Sequence, residues 1–166
     1  MIETARDIGR LLLERGHRLF VFETAAGGGI SSKLVAVDGA SMWYEGGVVA
    51  YSSSVKDRYV ALPPSWTGGV VSESYALEAA QQLLAGDPGI SVALVETSMV
   101  SRKPTTRSSK PAGLSCVAVA FRSGYSAADT MNVLRATREE TMEGIVEWAL
   151  RTLMYSLSRE GVQNGQ

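Results

Sequence analysis

Short apolar runs alternate with amphipathic stretches along most of this chain. Ala5, Ile8, Leu11, Leu12 and Arg15 recur at helical spacing over residues 3–15, and Gly16 stops them. Leu19 to Phe22, closed by Glu23, form a short β-favouring run that reads as a buried strand. The chain then passes through Thr24-Ala25-Ala26 into three consecutive glycines, Gly27 to Gly29, and a short helix over 30–37. A turn at 38–41 precedes a second strand, Met42 to Tyr44 continuing through Gly46 to Ser52. The glycine pair at its start predicts a bulge or the close approach of another group.

The next helix, 53–62, ends at Pro63-Pro64, and 68–71 form a brief extended piece. Ser72 is an N-cap for a helix from Glu73 to Ala85. The turn Gly86-Asp87-Pro88-Gly89 leads to a third strand, Ile90 to Val95. Thr97 to Ala112 reads as a long polar loop carrying Ser98, Arg102, Lys103, Thr105, Arg107 and Lys110, either a lid over an anionic ligand or a solvated segment. Leu114 to Phe121 is a fourth strand, Asp129 to Ala136 an edge strand, and Arg138 to Leu157 the last helix. Strands alternating with helices predict an α/β protein, a three-layer α/β/α sandwich. The adjacent fourth and fifth strands pair antiparallel, so the central sheet is mixed and mostly parallel.

Composition narrows the partners more than the fold. The 166 residues make one domain, residues 1–160, followed by a frayed tail at 161–166. A formal net charge of −1 gives no electrostatic reason to expect nucleic acid or an anionic membrane as partner. The lone cysteine, Cys116, sits in an apolar run and reads as a buried structural thiol; with the single His17 it leaves too few ligands for a zinc site. No stretch approaches the length of a membrane span, and the N-terminal segment is acidic and helix-like rather than basic and then apolar. The expected location is cytoplasmic.

The candidate chemistry centres on the glycine turn. Glycines between a strand and a helix let backbone N–H groups approach an anion, with Glu23 and Thr24 at the mouth. The same glycines serve equally in a tight turn that only lets helix pack on strand.

Several stretches together resemble the C-terminal domain family of the competence/damage-inducible protein CinA, whose characterised members are nicotinamide-nucleotide (NMN) amidases. The family strand ending in Glu-Ser-Cys-Thr-Gly-Gly is similar to Glu23-Thr24-Ala25-Ala26-Gly27-Gly28. Its Gly-Gly-Val-Val-Ala-Tyr-Ser-Asn-x-x-Lys resembles Gly46 to Lys56, with Tyr51 and Ser52 in the tyrosine and serine places. Its Gly-Ala-Val-Ser-Glu resembles Gly69 to Glu73, its Lys-Pro-Val-Gly resembles Lys110 to Gly113, and an arginine opening the final helix matches Arg138. The departures are local. Thr24 replaces the family serine, and Ala25 and Ala26 replace the cysteine and threonine. The glycine-rich Thr-Gly-Ile-Ala-Gly-Pro loop that frames the substrate becomes Thr97 to Ser101 without a glycine, and Met142 stands where a second arginine is expected.

The resemblance implies a homodimer or higher homo-oligomer and a small-molecule nucleotide as ligand. It also implies hydrolysis of NMN to nicotinate mononucleotide and ammonia, with no metal or organic cofactor. Thr24 is then the nucleophile and Lys56 its base. Gly27, Gly28 and Gly29 hold an oxyanion or phosphate, and Glu23 orients Lys56 or Thr24. Tyr51, Ser52, Thr97 and Ser98 contact the ligand, and Arg138 binds phosphate, being a cation where the helix dipole disfavours one. Two alternatives stay open: a catalytically degenerate member that binds a nucleotide or a protein partner, and an amidase for another substrate.

Overall fold

The computed structural model describes residues 1–102 and 109–163. Lys103, Thr105 and Arg107 of the expected cationic loop lie outside the described residues, as do residues 164–166 of the expected tail. The strands are β1 (Leu19–Glu23), β2 (Tyr44–Val49), β3 (Val92–Ser98), β4 (Leu114–Phe121) and β5 (Ser126–Asn132). The helices are α1 (Ile2–Glu14), α2 (Gly29–Val35), α3 (Ser53–Tyr59), α4 (Glu73–Gly86) and α5 (Arg138–Gln163).

The five strands form one sheet in the order β2-β1-β3-β4-β5. β1 pairs parallel with β2 and β3, whereas β3–β4 and β4–β5 pair antiparallel. The pairings thus divide evenly, although every strand except β4 runs in the same direction. Along β1, Leu19 and Val21 join a core with α1, α2 and α5, while Phe22 joins a second core under α4. Alternate side chains feed opposite faces, which is why β1, β3 and β4 read as continuous apolar runs.

The sequence expectations hold for most elements and shift where tertiary contacts decide. Ala40–Met42 wind into a 3-10 turn over the buried Trp43, so β2 starts at Tyr44. Its glycine pair answers to both expected causes. The β1–β2 register slips between Leu19 and Phe20, opposite Tyr44 and Gly46. A Cβ on Gly47 would lie 2.7 Å from Tyr44 Oη, 2.8 Å from Ser31 Oγ and 2.9 Å from the Val21 carbonyl oxygen.

Residues 68–71 form no strand. β3 starts at Val92 and runs on through Thr97 and Ser98, which pair with Cys116 and Ser115 of β4. The expected loop therefore loses its first residues to the sheet. β5 lies three residues earlier than expected, because a tight turn closed by Phe121 N–H to the Tyr125 carbonyl (2.8 Å) brings the chain back at once. α5 continues past Leu157 into the first residues of the expected tail. Glu160 explains the extension: it is buried, accepting from Ser123 Oγ (3.1 Å) and Arg15 (3.3 Å) and lying 3.4 Å from His17 Nε2. Cys116 is buried, as expected. Among the described residues no helix is long and apolar enough to cross a membrane.

Candidate functional site

The site sits at the C-terminal ends of β1 and β3. Phe22 pairs with Val95 across these parallel strands, so the next residues, Glu23 and Glu96, lie side by side. Both carboxylates are fully buried, which is costly unless each is supplied with donors. The loop between β1 and α2 supplies them.

Glu23 accepts from the amides of Gly28 (3.0 Å), Ile30 (3.0 Å) and Ser31 (2.8 Å) and from Ser31 Oγ (2.5 Å). Glu96 accepts at Oε2 from the amides of Thr24 (2.8 Å) and Ala26 (3.0 Å), and its Oε1 lies 3.4 Å from Thr24 Oγ1, the donor. Burial pushes the Glu96 carboxyl above the ordinary carboxylate range. Hydrogen bonds to Ser98, Ala26 and Thr24 pull it part of the way back, and the neighbouring Glu23 pushes it up.

The glycine turn gives one of its amides, that of Gly28, to an internal carboxylate. The expected negative charge at the start of α2 is provided by the chain itself, through Glu23. Gly27 and Gly28 have positive φ (65° and 94°), the conformation that folds the loop back onto that carboxylate. The Gly29 amide is taken by the Ala26 carbonyl (3.1 Å). Met142, in the place of the family arginine, packs against this loop: a Cβ on Gly27 would lie 3.2 Å from its Cε.

Above the loop lies a cleft of about 500 Å³. Its walls include Thr24 and Ala25, Tyr51 and Lys56, the segment Gly68 to Val71, Ser98 to Ser101, and Arg138 at the start of α5. Lys56 Nζ donates to the Tyr51 carbonyl (2.8 Å), and the Arg138 guanidinium donates to Tyr51 Oη (3.1 Å). Two cations and several hydroxyls thus face one space, an arrangement suited to an anionic, hydrogen-bonding ligand.

Of the sequence candidates, Thr24, Lys56, Tyr51, Ser98 and Arg138 meet at this cleft. The others take different positions. Glu23 and Gly27 to Gly29 lie beneath it, and Glu23 bonds to α2 rather than to Lys56 or Thr24. Ser52 is the N-cap of α3, its Oγ accepting from the Val55 amide (3.3 Å). Thr97 faces the opposite side of the sheet and donates to the Val70 carbonyl (2.7 Å), fixing the segment that forms one wall. Arg102 donates to the carbonyls of Arg135 and Ala136, an anchoring role at the foot of the expected loop.

Sequence reasoning missed Glu96. Its signal was present: an apolar run closed by a glutamate, Ile90 to Val95 followed by Glu96, repeats the Leu19-to-Glu23 pattern.

The family model for the CinA C-terminal domain matches residues 2–157. The chain belongs to the CinA C-terminal domain family. A CinA-like protein from Synechococcus sp. is 36% identical over 120 residues, 69% of this chain and 27% of that protein. A CinA-like protein from Chlorobium phaeobacteroides is 30% identical over 155 residues, 90% of this chain and 36% of that protein. The chain therefore spans about a quarter to a third of the length of these curated relatives. The crystal structure of a competence-damaged protein (CinA) superfamily protein from Klebsiella pneumoniae superposes with a TM-score of 0.84 at 24% identity, covering 95% of this chain and 98% of that one. The α/β architecture with a mixed sheet is thus that of the CinA superfamily.

Proposed function

We propose that this CinA domain is an amidohydrolase for a pyridine nucleotide, hydrolysing NMN to nicotinate mononucleotide and ammonia through Thr24. The observation that carries the reading is the convergence of Thr24, Tyr51, Lys56 and Arg138 on one cleft. Arg138 and Tyr51 suit the phosphate and sugar end of a nucleotide. Thr24 provides the hydroxyl that attacks the carboxamide carbon, and Lys56 carries protons within the cleft. The Ala25 amide, which adjoins Thr24 at the cleft wall, is the donor we assign to the developing oxyanion. The steps use only protein side chains and water. Homodimeric assembly belongs to the same proposal and is supported by the family resemblance alone.

Thr24→Ala and Lys56→Ala are each expected to abolish ammonia release from NMN while leaving the fold intact by circular dichroism. Undiminished turnover in either variant refutes the assignment. One observation favours a second reading, a domain that keeps the nucleotide cleft without the chemistry: Thr24 is only 4% exposed and its hydroxyl is engaged by Glu96. That reading predicts NMN binding indifferent to Thr24→Ala and no ammonia from any form, and turnover by the wild type overturns it.

A further inference from the structure

We infer that Glu96 is the base that takes the proton from the Thr24 hydroxyl, leaving Lys56 as the ammonium that protonates the departing nitrogen. The inference rests on Thr24 being the nucleophile and assigns each proton of the reaction to a group.

A threonine hydroxyl has one hydrogen, and the atom that this hydrogen faces is the group that receives it. Here that atom is Glu96 Oε1, 3.4 Å from Thr24 Oγ1. The other carboxylate oxygen, Oε2, is already committed to the amides of Thr24 and Ala26. Those two bonds fix the carboxylate beside the nucleophile, and its remaining bonds are to hydroxyls, those of Thr24 at Oε1 and of Ser98. Complete burial raises the carboxyl's proton affinity above that of an ordinary carboxylate, the direction a general base requires. Catalytic hydrogen bonds shorten when a substrate closes a site, so this 3.4 Å contact meets the geometric requirement for the transfer.

The protons balance. As Thr24 Oγ1 bonds to the carboxamide carbon, its hydrogen passes to Glu96. As the C–N bond breaks, the Lys56 ammonium gives a proton to the leaving group, which departs as ammonia. Water then attacks the ester, giving one hydrogen to the neutral Lys56 amine. The Thr24 oxygen recovers its hydrogen from Glu96, and the product acid loses its proton to solvent. The titratable groups around Glu96 are Glu23 from β1 and Cys116 from β4, with Tyr51, Lys56 and Arg138 across the cleft. Of these, Glu23 acts in the direction that keeps the Glu96 proton affinity high.

The test uses an alkyl phosphonofluoridate, which needs an activated hydroxyl but no nucleotide recognition. Thr24 Oγ1 forms the bond to phosphorus, fluoride leaves, and Glu96 takes the proton. Mass spectrometry is expected to locate the label on Thr24 in the wild type, at a rate that rises with pH through the ionisation of Glu96. Glu96→Gln keeps the side chain's shape and an oxygen for the two amides but cannot accept the proton. It should label about 100-fold more slowly while circular dichroism shows the fold retained, and Glu96→Asp should recover part of the rate. Equal labelling of wild type and Glu96→Gln overturns the inference, as does a wild type that takes no label at Thr24. Ammonia release from NMN, run alongside, separates the two readings. Glu96-dependent labelling without NMN turnover upholds the base and removes the substrate, whereas turnover unaffected by Glu96→Gln removes the base and upholds the substrate.

Discussion

Replacing Glu23 by glutamine tests whether the glycine loop is held by an internal anion. The carboxylate is fully buried and accepts four hydrogen bonds, three of them from backbone amides at the start of α2. Glutamine matches it in shape, so no cavity confuses the result. Its oxygen can keep the Gly28 and Ile30 amides, and its NH₂ then faces the Ser31 amide, donor against donor. The Ser31 hydroxyl can rotate to accept, so the loss comes from three bonds. Two change from charged to neutral, at about 1 kcal/mol each, and one partly buried donor goes unpaired, at about 1–2 kcal/mol. Removing a buried charge beside Glu96 offsets part of this, leaving a net loss of about 2–3 kcal/mol. Urea unfolding followed by circular dichroism should move the midpoint down by about 1–2 M with an unchanged slope. Amide hydrogen exchange should quicken at Gly28, Ile30 and Ser31 before anywhere in the sheet. A midpoint within about 0.3 M of wild type, with those amides still protected, would mean that the loop is fastened by something else.

Gly47→Ala places a methyl group 2.7–2.9 Å from Tyr44 Oη, Ser31 Oγ and the Val21 carbonyl, the last of them rigid backbone. It should cost about 1–3 kcal/mol by urea unfolding, and a neutral result would show that β2 can move away from β1. Glu96→Gln should also change how stability depends on pH. Because burial raises the folded-state affinity of Glu96 for its proton, the folded protein holds that proton to higher pH than the unfolded chain does. The contribution is full below the unfolded carboxylate value and is lost as pH rises through the folded one. Wild-type stability relative to Glu96→Gln should therefore decline on going from about pH 4 upward, and a difference that is flat or grows refutes the raised affinity.

How much the sequence disclosed follows from what each residue answers to. β4 was legible to the residue, Leu114 to Phe121, because a strand buried on both faces reads as a nearly continuous apolar run, broken here only by Ser115. β5 was misplaced by three residues because it is an exposed edge: Ser126 to Asn132 carry mostly small and polar side chains, and none of them is fully buried. The cleft residues Thr24, Tyr51, Lys56 and Arg138 were legible through the family resemblance, which carries spatial information that local pattern lacks.

Glu23 and Glu96 mark the boundary of such reading. Each closes an apolar run at the end of a parallel strand, and in sequence the two are equivalent. Their work differs because of which loop amides reach them. Glu23 lies under the amides of Gly28, Ile30 and Ser31, with both oxygens occupied, and can only fasten. Glu96 receives two amides on one oxygen, and its other bonds come from the hydroxyls of Thr24 and Ser98 at the cleft, groups that can exchange a proton with it. The division is made by the positive-φ glycines, which bend the loop so that its amides fall into two groups. A strand-end carboxylate becomes a fastener or a base according to whether that bend fills both of its oxygens with amides or leaves one to hydroxyls.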